Sequence, residues 1–133
     1  MERYSASQAL RLLPLLRSIV QEIKNLREER QETAILIEEL EQASSLSPEG
    51  FSEAIFDARN RLAEIAESLR RCIHELFRLG VYMQNTRPFV IHIPGISRGK
   101  KVVFRWSESS REIEVLSPVK NSVVEADSGH PGA

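Results

Sequence analysis

One cysteine, Cys72, cannot close an internal disulfide, so nothing ties this 133-residue chain to an oxidising compartment. Apolar residues never run on for the roughly 20 positions that a membrane helix needs, so no membrane insertion is expected. The N-terminus lacks the basic, then apolar, then small-residue order of a signal peptide. A net charge of -1 excludes a globally basic nucleic-acid binder, though not a local basic patch. Catalytic signatures are missing too: there is no Ser/His/Asp order, no paired catalytic carboxylates and no glycine-rich nucleotide fingerprint. The expectation is a cytoplasmic protein of one domain over 1–118, with no cofactor.

What the chain does have is heptad patterning over 5–42 and 52–79. Ser5 and Gln8 have the spacing of a capping box at the first start. Ala9, Leu16, Ile23, Arg30 and Ile37 then recur every seven residues, with Leu12, Ile19, Leu26, Thr33 and Leu40 three positions after each. Pro14 lacks an amide hydrogen and crowds the carbonyl of Leu10, so a kink or break is expected there. Arg30 and Thr33 replace apolar seam residues, either as a register-setting polar layer or where the seam opens to water. After the Ser44–Gly50 loop, Ile55, Leu62, Leu69 and Leu76 form one row of a second helix, and Ala58, Ile65, Cys72 and Leu79 the other. Gly80 should end it and Val81 pack back on its last turn. So short a loop makes the helices antiparallel neighbours, a coiled-coil-like hairpin over 5–79.

The period then changes from that of helices to that of strands. Residues 87–93, ending at Pro94, with 101–106 and 111–116, read as a small three-stranded antiparallel sheet over 87–116. Alternation puts Val102, Phe104 and Trp106 on one face with Ile113 and Val115, and turns Arg105, Glu112 and Glu114 to solvent. Residues 119–133 are polar and glycine-containing and read as a disordered tail. The fold class is therefore α+β: a long helical hairpin followed by a small sheet.

Several short stretches resemble a known family. Tyr4-Ser5 through Ala9 with Leu12-Leu13-Pro14, then Leu79-Gly80-Val81, a strand ending in Ile93-Pro94, a Gly99 turn and Val103-Phe104-Arg105-Trp106 are similar to the uncharacterised bacterial domain-of-unknown-function family 2203. The likeness covers about residues 4–116. Where the family pattern has Asp-Phe-Pro, this chain reads His92-Ile93-Pro94; where it has Trp-His, Leu116-Ser117 stand, and a later Gly-Arg pair has no counterpart. The resemblance implies the fold and no activity.

Chemistry-bearing residues are few. Between Glu75 and Glu108 there is no acidic residue, while Arg78, Arg87, Arg98, Lys100, Lys101 and Arg105 mingle with Tyr82, Phe89, Phe104 and Trp106. Such a stretch can hold a phosphate backbone while bases stack, or be a solvated edge kept soluble by its lysines. Residues 95–101 are no nucleotide-hydrolase loop, because three residues rather than four separate the glycines and Lys101 stands where a hydroxyl is needed. The glutamates of the first helix (Glu28, Glu29, Glu32, Glu38, Glu39 and Glu41) read as a solvated face. Cys72, His74 and Glu75 are too close along one helix to converge on a metal, and His92 reads as a structural histidine in a strand.

The reading that follows is a non-enzymatic interaction or scaffold protein associating through its hairpin, as a homodimer or with an unknown protein partner. The seam residues, intrachain and intersubunit contacts pooled, are Leu16, Ile19, Ile23, Leu26, Ile37, Leu40, Ile55, Leu62, Ile65 and Leu69. The alternative is a small anion- or nucleic-acid-binding module using Arg98, Lys100, Lys101 and Arg105.

Overall fold

The computed structural model describes residues 3–47, 49–117, 121–124 and 129–130. Two helices, α1 (Ala6–Leu46) and α2 (Ser52–Arg78), precede strands β1 (Tyr82–Thr86), β2 (Phe89–Ser97), β3 (Lys100–Ser107), β4 (Ile113–Leu116), β5 (Asn121–Val124) and β6 (Gly129–His130). The strands form one antiparallel sheet in sequence order. The chain is thus α+β, with four strands rather than three before Ser117. The expected tail over 119–133 lies mostly outside the described residues; its described parts are β5 and β6. Two compact units are formed, Met1–Val20 with Glu75–Ala133, and Gln21–His74.

In the sheet-bearing unit, α1 begins at the expected capping box. The Ser5 amide donates to Gln8 Oε1 at 2.9 Å, and the Gln8 amide to Ser5 Oγ at 3.1 Å. Of the kink or break expected at Pro14, no break occurs: α1 runs through it. Pro14 is exposed, so the Leu10 carbonyl it leaves without a partner lies on the wet side of the helix. Ala9, Leu13, Leu16, Ile19 and Val20 form the buried stripe opposite. The end of α2 is closed as its sequence requires. Gly80 takes φ +77° and donates to the Phe77 carbonyl, while Val81 donates to that of Leu76, and both Val81 and Leu76 are buried.

The sheet's inner face follows period two. Phe89, Ile91, Ile93, Val102, Phe104, Trp106, Ile113 and Val115 are buried, and Trp106, Phe89 and Phe104 are its largest enclosed side chains. Burying each aromatic contributes about 2–3 kcal/mol to this unit, and Trp106 is met by Arg17 of α1. Arg17 fixes the register of that contact. Its guanidinium lies 5.7 Å from the Trp106 ring centre and donates to the Ser110 carbonyl, which also accepts from Trp106 Nε1 at 2.8 Å.

β2 does not end at Pro94 but continues to Ser97. The Tyr4 amide donates to the Pro94 carbonyl and the Ile96 amide to the Tyr4 carbonyl, so the Pro94 nitrogen faces the strand edge instead of β3. Its missing hydrogen therefore costs the β2–β3 ladder nothing. β1 was not expected because Tyr82–Thr86 is polar and almost wholly exposed, with a bulge between Met83 and Asn85. A two-residue Arg87-Pro88 turn, its peptide cis, joins it to β2.

In the unit Gln21–His74 the two helices pack along Ile23, Leu26, Ala58, Ile65 and Leu69, all buried. Thr33 is buried as well, and its hydroxyl donates to the Glu29 carbonyl at 2.8 Å, so it needs no partner across the seam, while Arg30 is exposed. Arg59–Glu41 and Arg61–Glu29 clasp the helices from outside. The Arg61 hydrogen bond holds the Glu29 carboxyl below its ordinary range, against a smaller opposing effect of burial.

Gly95 sits where a side chain cannot. A Cβ there would lie 2.5 Å from Cδ2 and 2.9 Å from Cζ of the buried Phe104 ring. Gly95→Ala should therefore lower stability by about 1–3 kcal/mol, read as an earlier urea midpoint at unchanged slope.

Candidate functional site

Because the inner positions of β2, β3 and β4 are apolar, the residues between them form the outer face. Register aligns Tyr82, His92, Arg105 and Glu114 in one row across β1–β4. Arg105 and Glu114 pair at 2.5 Å through Nη2 and Oε2. The Tyr82 ring meets His92 edge-on, 5.7 Å between centres at 69°. His92 is half-buried and its Nε2 is enclosed without a hydrogen-bond partner. Burial, and then the charge of Arg105, push the imidazole below its usual pKa.

Two clefts flank this row. One, of about 350 Å³, includes Gln84, Val90, Arg105, Ser107, Ser110 and Glu112 in its lining, so it mixes both signs of charge. The other, of about 330 Å³, has Arg3, His92, Lys101, Val102, Val103, Leu116 and Ser117 in its lining, with no carboxylate among the described residues.

The four proposed anion-binding residues are divided by the fold. Arg98 and Gly99, with φ of 53° and 75°, form the two-residue β2–β3 turn closed by Ser97 and Lys100. Arg98, Lys100 and Lys101 are exposed beside it. Arg105 stands four residues along β3 from Lys101 and is held by Glu114. Two residues on the outer face were not singled out as ligand groups from sequence. Arg3 reaches it only because residues 3–5 run beside β2, a contact between distant parts of the chain. His92 was read as a satisfied structural histidine, and its orphaned nitrogen is invisible without the neighbours.

Of the seam residues, Leu16 and Ile19 are buried in the sheet-bearing unit. Ile23, Leu26, Ile65 and Leu69 are buried in the hairpin unit, where Ile37, Leu40, Ile55 and Leu62 remain half-buried. Cys72 is half-buried in α2. Among the described residues no three His, Cys, Asp or Glu side chains stand together as a metal site, and no helix is long and apolar enough to cross a membrane.

A depressed His92 pKa has a definite sign. Above the unfolded value of about 6.5 both states are neutral and the group contributes nothing to pH dependence. As pH falls through that value the unfolded chain takes up the proton first, so stability declines until the folded pKa is reached. His92→Gln should flatten the fall in stability with pH just below 6.5, measured by urea denaturation at stepped pH; an unchanged profile would contradict the depressed value.

Neither a curated protein nor a solved structure matches the chain. A family does: the one described as Uncharacterized conserved protein (DUF2203) matches residues 3–123, which takes in the unit Gln21–His74, most of the other unit and the whole Tyr82–His92–Arg105–Glu114 row. On that span the chain belongs to the DUF2203 family.

Proposed function

We propose that this is an interaction protein that acts through contacts made by its helical hairpin, as a homodimer in the cytoplasm, a compartment that suits its single cysteine. The observation that carries this is apolar surface the hairpin cannot cover. Leu36, Phe56 and Leu46 are 48%, 64% and 88% exposed, and Ile37, Leu40, Ile55 and Leu62 are only half-buried. Two helices bury one stripe each, and a second hairpin would complete a four-helix bundle over the flanks. Charge favours a second copy as the occupant. Glu28, Glu32, Glu38 and Glu39 stand exposed on α1, and Arg70 and Arg71 on α2. A two-fold axis that sets α1 of one copy against α2 of the other repeats the Arg-to-Glu pairing already made within the hairpin. Light scattering should give twice the chain mass at low and high salt, and Leu36→Glu with Phe56→Glu should halve it while keeping the helical circular dichroism. A monomer at about 100 μM overturns the homodimer.

A second reading, anion or nucleic-acid binding at the β2–β3 turn, is favoured by Arg98. An arginine there holds a left-handed φ of 53° where asparagine or glycine is cheaper by about 1 kcal/mol. Its guanidinium and the ammonium groups of Lys100 and Lys101 crowd one exposed turn. Lys100→Glu with Lys101→Glu should abolish binding of a single-stranded oligonucleotide that weakens steeply with salt; binding that survives both substitutions sinks this reading.

A further inference from the structure

We infer that the cleft beside His92 on the outer face of the sheet binds a small organic carboxylate with an apolar body. Arg3 is the group that points to a carboxylate. Its Nη1 donates to the carbonyl oxygens of Gly95 and Val102, at 3.1 and 3.0 Å, across the β2–β3 ladder. Those two bonds fix the guanidinium in place, yet both acceptors are neutral and leave its charge uncompensated. The N–H groups on Nε and Nη2 remain, and that pair of donors fits the two oxygens of a carboxylate. Lys101 supplies a second positive charge on the same cleft, and none of the described residues lining it is acidic. Among the described residues neither Arg3 nor Lys101 is held in an ion pair.

The floor decides what the rest of the ligand is. Val103 and Leu116 are direct partners across β3 and β4, and both line the cleft half-buried. An inorganic anion would satisfy the cations and leave this apolar patch wet. A ring or short alkyl chain carried by the carboxylate would cover it, and a volume of about 330 Å³ holds a body of that size. Because the guanidinium is already anchored, binding does not have to order it first.

His92 reports occupancy. The groups around it are Tyr82 from β1, Arg105 and Lys101 from β3, Arg3 from the segment before α1, and Glu114 of β4 acting through Arg105. A carboxylate seated beside Arg3 and Lys101 offsets that positive surrounding, so the imidazole should take up its proton at higher pH when the cleft is filled, and binding should tighten as pH falls. The site shares Lys101 with the basic-turn reading but uses neither Arg98 nor Lys100.

The test is a titration of the full chain with benzoate, followed on the His92 ring proton resonances, with the Trp106 indole resonance as a check on the fold. A saturable shift with a Kd of roughly 1 mM is expected, at least tenfold weaker for acetate and in Lys101→Glu and Arg3→Gln. Saturation should also raise the pH at which His92 titrates. Absence of a saturable shift up to about 10 mM benzoate would overturn the site, as would tighter binding of inorganic phosphate. Loss of benzoate binding in Arg98→Glu with Lys100→Glu as complete as in Lys101→Glu would overturn it too, by showing only a diffuse basic surface.

Discussion

The period of two along β2 and β3 is the constraint from which the sheet-bearing unit is built. Ile91, Ile93, Phe104 and Trp106 can all be buried only in one register, and that register sends His92 and Arg105 to the other side. A slip by one residue would expose Trp106 and bury an arginine, so the core and the outer polar row are enforced together. Arg17 adds a lateral check, since it must reach the Trp106 ring and the Ser110 carbonyl at once. The outer cleft therefore rests on strands that the core holds in register, and one residue of its lining, Val102, is itself buried in that core.

The hairpin unit is governed by weaker rules. Its seam is narrow, it contains a buried threonine that bonds to its own helix, and much of its charge lies outside. Exposed ion pairs of this kind orient helices more than they stabilise them. Ile37, Leu40, Ile55 and Leu62 stay half-buried and Leu36 and Phe56 exposed, and that is the physical basis for proposing it as a surface of association.

Local signals were readable from the chain because they depend on residues close in sequence. Ser5 with Gln8 start α1, Gly80 with Val81 end α2, and the alternation through Val102, Phe104 and Trp106 names the inner face. β1 was missed because its residues carry no apolar alternation; it is a strand only because β2 offers it an edge. Pro94 looked like an end because the direction of its nitrogen depends on which neighbour lies on each side. Pro14 looked like a break because sequence does not say which face of α1 meets water. The outer site was half legible: Lys101 and Arg105 were named, but Arg3 comes from the far end of the chain and His92 depends on Tyr82 and Arg105 around it.

The short parallel bridge between Tyr4 and Gly95 bears on how copies of this protein can meet. Beyond Tyr82, β2 would otherwise offer open amide and carbonyl groups to any extended segment in solution. Tyr4 occupies those groups, and its hydroxyl, 2.6 Å from the Leu79 carbonyl, anchors it to the end of α2. That stretch of edge is closed to strand addition from outside, so a visiting chain would have to evict the protein's own N-terminal segment before it could extend the sheet there.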